Sequence, residues 1–159
     1  MSGAFPISSA KFETLGIKSI QNTIISKSVS GKKLARQIDN QRFGFTVRIV
    51  TGTRSDVYGE LMAFIMKQRS SKENFTIIPP EIEDARGNES GTVLVNGVHA
   101  VGDTTIAVDG HANNNPNAFK AGDFIKFASH SKVYMIVADV QASSNASTLT
   151  IEPPLLTAL

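Results

Sequence analysis

Cysteine and tryptophan are both absent from this 159-residue chain. Without thiols, disulfides and thiolate metal sites are excluded, and cysteine usage says nothing of redox compartment. Aromatic residues make up only 7% of the sequence and include just two tyrosines. That is a thin supply for stacking on bases or sugar rings. Long apolar runs are missing too. "LMAFIM" and "VYMIVA" fall far short of the roughly 20 residues that span a bilayer. The opening "MSGAFPISSAKF" has no charged segment leading into an apolar one, so no secretory leader is expected and the protein is expected to be soluble in a cytoplasm.

What is present is ordinary for a folded chain. Hydrophobic residues at 41% and charged residues at 19% argue against disorder, and the length allows one domain or two small lobes. Net charge is only +2, but it is unevenly placed. Residues 1–52 carry eight Lys and Arg, Lys11 among them, against Glu13 and Asp39, a net +6. Residues 81–159 carry four against nine, a net −5. Such asymmetry fits nucleic-acid contact at the basic end, or the basic end of one copy meeting the acidic end of another.

Periodicity predicts a mainly β chain. In "RFGFTVRIV", Phe43, Phe45, Val47 and Ile49 fall on one face and Arg42, Gly44, Thr46 and Arg48 on the other, the alternation of a half-buried antiparallel strand. The first face is expected to enter a core. Upstream, "NTIISKS" and "KKLARQI" flank a turn in which Gly31 can supply positive φ. One helix is expected at about 55–69, with Ser55 as N-cap, Asp56 and Glu60 in its first turn and Lys67 and Arg69 in its last. Tyr58, Leu61, Met62 and Ile65 form its apolar stripe. After "NFTIIPP", Pro79 and Pro80 end a strand. Five short β-patterned stretches then follow between turn residues, the spacing of a small barrel or sandwich. The expected organisation is a β-sheet or barrel lobe with one packed helix over 1–86, and a small all-β lobe over 87–159.

No reaction centre emerges from the residues. His99, His111 and His130 each lie in or beside a turn without a second histidine at ligand spacing. Asp103, Asp109 and His111 could in principle hold a metal, but "GDTT" and "VDGH" read better as backbone-capping turns. "SGKKL" lacks the pattern of a phosphate loop, since Ser26 stands where glycine is needed and Lys33 where a hydroxyl is needed. The acidic cluster Glu81, Glu83 and Asp84 reads as a solvated loop. Neither a cofactor nor a metal is expected. The basic run Lys27, Lys32, Lys33, Arg36, Arg42 and Arg48 is the best candidate for phosphate contact, yet with so few aromatics it reads rather as a protein-contacting face.

Three segments together resemble a tailed-bacteriophage tail protein of the distal-tail or baseplate type. They are "SVSGKKLARQIDNQRFGFTVRIV", "SDVYGELMAFIMKQRSSKENFTIIPP", and the second-lobe run from "VNGVHAVGDTTIAVDG" through "FKAGDFIKFASHSKVYMIVADV" to "LTIEPPL". The resemblance covers roughly residues 12–156. It implies a virion structural subunit that forms a homo-oligomeric ring and joins tail tube to baseplate or hub proteins. It carries no catalytic residue. Such chains usually continue past the Pro-Pro-Leu with a strand returning to the first lobe, so that strand is expected to be supplied differently or to be missing from a shortened form. Lys32, Lys33, Arg36, Arg42, Arg48, Lys126, Lys132 and Tyr134 are the candidate subunit contacts. The competing readings are a carbohydrate- or receptor-binding module at the tail tip and a nucleic-acid-binding barrel. Contact with a membrane is not expected, nor is specific nucleic-acid binding.

Overall fold

The computed structural model describes residues 3–6, 12–38, 41–50, 52–70, 72–79, 82–112 and 114–159. Lys11, Asp39, Pro80 and Glu81, used above for charge, strand end and acidic cluster, lie outside them. The chain is mainly β with one α-helix, as its periodicity predicts. It divides into two compact units, Met1–Lys18 with Gly44–Asp84, and Ser19–Phe43 with Ala85–Leu159. These differ from lobes 1–86 and 87–159 in the stretch 19–43. The physical reason is local: Phe43 packs edge-to-face on Phe124 at 5.2 Å, and Lys132 Nζ donates to the Gln41 carbonyl at 2.6 Å.

In the N-terminal part, β1 (Phe12–Ile20) pairs with β4 (Arg42–Ile49). Between them in sequence lie β2 (Thr23–Lys27) and β3 (Lys33–Gln37), a separate antiparallel hairpin. Its turn is closed by Ser28 N–H to Lys32 O and Gly31 N–H to Ser28 O, both 2.9 Å. Gly31 has φ of 80°, the left-handed conformation that the turn residues predicted.

The first unit gathers its aromatics around Phe5. This ring lies 5.9 Å from Phe12, 5.4 Å from Phe64 and 6.2 Å from Phe75, and Phe64 meets Phe75 edge-to-face at 5.1 Å. Residues 3–6 are held there by Phe5 N–H to Thr76 O at 2.8 Å and Thr76 N–H to Gly3 O at 3.2 Å. Val47 and Ile49 line the same apolar cavity as Leu61 and Ile65, about 570 Å³ in volume. That agrees with the expected meeting of strand and helix. Phe45 does not join them; it is 37% exposed.

The helix departs from its expected register. A π-helical turn at Arg54–Tyr58 precedes α1 (Gly59–Lys67), and the unbroken apolar run "LMAFIM" allows more than one inward stripe. Val57, Phe64 and Gln68 are buried, whereas Tyr58 and Ile65 of the predicted stripe are about half exposed. Thr53 rather than Ser55 precedes the first turn, and it makes no side-chain cap.

The second unit is built on a five-stranded antiparallel sheet in the order β5-β6-β9-β8-β7. Its strands are β5 (Leu94–Val95), β6 (Thr105–Asp109), β7 (Phe124–Lys126), β8 (Val133–Ile136) and β9 (Ala146–Glu152). Each overlaps a stretch that the sequence pattern marked as β. The sheet curls as a half-barrel; β5 and β7, two and three residues long, are left as unjoined edges. Alternation on the central strands sends Ile106 and Val108 of β6, Tyr134 and Ile136 of β8, and Leu149 and Ile151 of β9 into one core. Val140 and Leu155 complete it.

Candidate functional site

Two features stand out by their chemistry: a polar clasp in the second unit and the hairpin β2–β3. The clasp begins with Glu89, whose Oε1 accepts the amides of Ser90 at 2.9 Å, Gly91 at 2.7 Å and Ala112 at 2.8 Å. Its Oε2 meets His111 Nδ1 at 2.8 Å, and His111 Nε2 meets Ser147 Oγ at 2.7 Å. Burial pushes the Glu89 carboxyl up, but the amides of Ala112 and Gly91 and the His111 ring outweigh it and hold its pKa at about 2. An ionised carboxylate only accepts, so Nδ1 carries hydrogen, and Ser147 donates to Nε2 when the ring is neutral.

Backbone pairing brings these residues together. The β6–β9 register sets Asp109 opposite Ala146, so His111 and Ser147 arrive at the same end of the sheet. Gly110, at φ of 82°, lets the chain turn there. A Cβ on Gly91 would collide with the Gly110 carbonyl oxygen, which fixes glycine where Glu89 folds back on the loop.

Serine, imidazole and carboxylate are connected as in an acyl-transfer triad. The surroundings differ. The His111 side chain is 0% exposed, so its Nε2 has no path for passing a proton to a leaving group in solvent. What the relay does is fasten residues 89–91, 110–112 and the start of β9 to one another. Sequence reading read His111 as a turn residue and passed over Glu89 and Ser147. Glu89 lies 22 residues from His111 and Ser147 lies 36 from it, so no local spacing marks the set.

A second clasp explains the Asp of "AGD". Asp123 is buried and accepts the amides of Arg86 at 2.6 Å, Gly87 at 3.1 Å and Lys120 at 2.8 Å. Lys120 and the Ala121 amide in turn engage Asp139 at 3.0 and 2.9 Å. The Ala121 amide first, and then Lys120, draw the Asp139 carboxyl below the usual range.

The other histidines are likewise committed within the chain. His99 Nε2 accepts the Ala107 amide at 3.2 Å, with Asp103 Oδ2 3.9 Å from its Nδ1. His130 lies 2.8 Å from the Tyr134 hydroxyl and 3.0 Å from Ser129 Oγ. Asp103 spends its carboxylate on the Ala100 amide at 2.8 Å. No group of three or more metal-ligating side chains converges among the described residues.

The candidate contact residues fall into different settings. Lys32, Lys33 and Arg36 lie on the exposed hairpin, and Arg42 and Lys126 are exposed on strands. Arg48 sits 4.0 Å from Glu13 in an exposed pair. Lys132 is half-buried over Gln41. Tyr134 differs from the other candidate contacts: it is 0% exposed and its hydroxyl accepts the Leu156 amide at 3.2 Å. Val133 and Met135 take the opposite face of β8, so the strand's parity places Tyr134 with Ile136 in the core. Its burial also removes the second lobe's one tyrosine from any sugar-stacking role.

The hairpin is the opposite case, with every residue of β2 and β3 exposed. Its pairing puts Lys27 directly across from Lys33 and Ile24 across from Arg36. Like charges facing each other across a pair are unfavourable.

No helix is long and apolar enough to cross a membrane among the described residues. Residues 82–158 match the family model of the distal tail protein pb9, B domain. Among curated proteins, none matches the chain.

Proposed function

We propose, from the premise that residues 82–158 form a B domain of the phage distal tail protein family, that this tail structural protein is the repeating subunit of a ring joining tail tube to baseplate or hub. The match over the second unit is the observation that carries this reading. The rest of the chain supports it. The N-terminal strands offer open main-chain edges, and an exposed basic hairpin extends from the chain between β1 and β4. Surfaces of this kind hold neighbours together through strand edges and patterned faces rather than through a reacting group. In a virion, the place of such a subunit is the tail.

Native mass spectrometry of the purified chain, followed by particle imaging with its tail partners, tests the proposal. A closed ring of one stoichiometry, found in tail density between tube and baseplate, is the expected result. A chain that stays monomeric at high concentration and with its partners present would overturn it.

A further inference from the structure

We propose that the β2–β3 hairpin of one copy docks on the acidic, apolar stretch Ile78, Ile82, Glu83 and Asp84 of a second copy, so that the ring is built from unlike surfaces. This rests on the ring reading above and names its contact.

The hairpin is incomplete as it stands. A two-stranded hairpin in water is marginal unless a further strand or an apolar surface covers it. Here Ile24, Ile25 and Leu34 are 55%, 54% and 55% exposed. Lys27, Lys32, Lys33 and Arg36 are the only charged residues between positions 19 and 38, and all are positive. None of the four takes part in an ion pair among the described residues. The occupant must therefore bring both carboxylates and apolar surface. A phosphate backbone supplies charge but leaves Ile24, Ile25 and Leu34 in water, which favours protein over nucleic acid.

The chain carries a matching surface. Glu83 and Asp84 are exposed and without an ion pair among the described residues. Close by in sequence, Ile78 is 70% exposed and Ile82 is half-buried. Five other carboxylates have partners: Glu13 has Arg48, Asp139 has Lys120, Asp103 has the Ala100 amide, and Glu89 and Asp123 serve the clasps. Each copy thus carries one basic arm and one acidic seat. Unlike surfaces meet head to tail, and such a contact closes into a ring when the rotation between successive copies completes a full turn.

A charge-exchange experiment on the full chain tests the contact. Lys32→Glu with Lys33→Glu makes the arm acidic; Glu83→Lys with Asp84→Lys makes the seat basic. All four positions are exposed, so circular dichroism melting should show both variants folded. Each variant alone should assemble about tenfold more weakly, or worse, at low salt. Mixed in equal amounts, they should recover assembly, because the acidic arm of one variant faces the basic seat of the other. Two variants that stay dissociated on mixing, while wild type assembles, would overturn the contact and leave the ring standing. A wild type that never assembles overturns both. Loss of duplex-DNA retention in the lysine variant, with the Glu83/Asp84 variant assembling normally, would instead assign the hairpin to nucleic acid.

Discussion

At the scale of single residues, the second unit is held by carboxylates that accept amides from distant parts of the chain. Glu89 is the sharpest case, because its folded pKa of about 2 lies below its ordinary value of 4.5. A depressed carboxylate contributes stability that is present in full above its unfolded pKa and is lost as pH falls through its folded pKa. The window therefore runs from about 4.5 down to about 2. Glu89→Gln should lower the melting temperature at pH 7, and the gap from wild type should close across that window. A gap that stays constant down to the bottom of it would show that Glu89 acts through shape rather than charge. The histidines give a second expectation. Each has ring nitrogens already committed to a neighbour in the chain, so dialysis against a chelator should leave the melting temperature unchanged. A drop on chelation, restored by adding metal back, would put Asp103, Asp109 and His111 back under consideration as ligands. The Glu89–His111–Ser147 set was not legible in the sequence. Its members are adjacent only after β6 and β9 have paired, and pairing is a long-range property that residue types do not announce.

Among the elements, strands were easier to read than the helix. Alternation such as Ile106-x-Val108 or Leu149-x-Ile151 survives in any half-buried strand, since side chains change face at every residue. A helix face depends on cumulative rotation, and in "LMAFIM" every position is apolar, so spacing alone allows more than one inward stripe. The stripe read from spacing placed Ile65 inward, whereas Phe64 is buried between Phe5 and Phe75. That difference is measurable. Phe64→Ala should cost about 3–5 kcal/mol, the range for emptying a buried aromatic site. Ile65→Ala should cost well under half as much, because its side chain is already half in water. Denaturant melts of the two variants decide between the registers, and equal losses would restore the predicted stripe. The hairpin shows the other limit of sequence reading. Ile24, Ile25 and Leu34 look like core residues by type, yet each stays more than half exposed. A pattern records which residues seek burial, not whether their own chain supplies the cover.

On the scale of the whole molecule, the contacts that hold the second unit and the hairpin proposed for assembly lie in separate parts of the sequence. The eight buried residues of the second unit's core, Ile106 through Leu155, come entirely from the C-terminal part of the chain. So do the polar clasps, with Glu89, His111 and Ser147 in one and Arg86, Lys120 and Asp123 in the other. The hairpin contributes no buried residue to any of this. Replacing residues 23–37 by a short Gly-Ser turn should therefore leave cooperative unfolding intact and shift the melting temperature by only a few degrees, the change expected of about 1 kcal/mol in a chain of this length. Gln41 and Phe43 are kept in that variant, so the Lys132 and Phe124 contacts remain available. On the proposed arm-and-seat contact, the same deletion should abolish whatever self-assembly the intact chain shows, because the arm is gone while its seat remains. Calorimetry and native mass spectrometry on one preparation read both quantities together. A deletion that melts the chain early would make the hairpin part of the fold, and a deletion that still assembles would remove it from the ring contact.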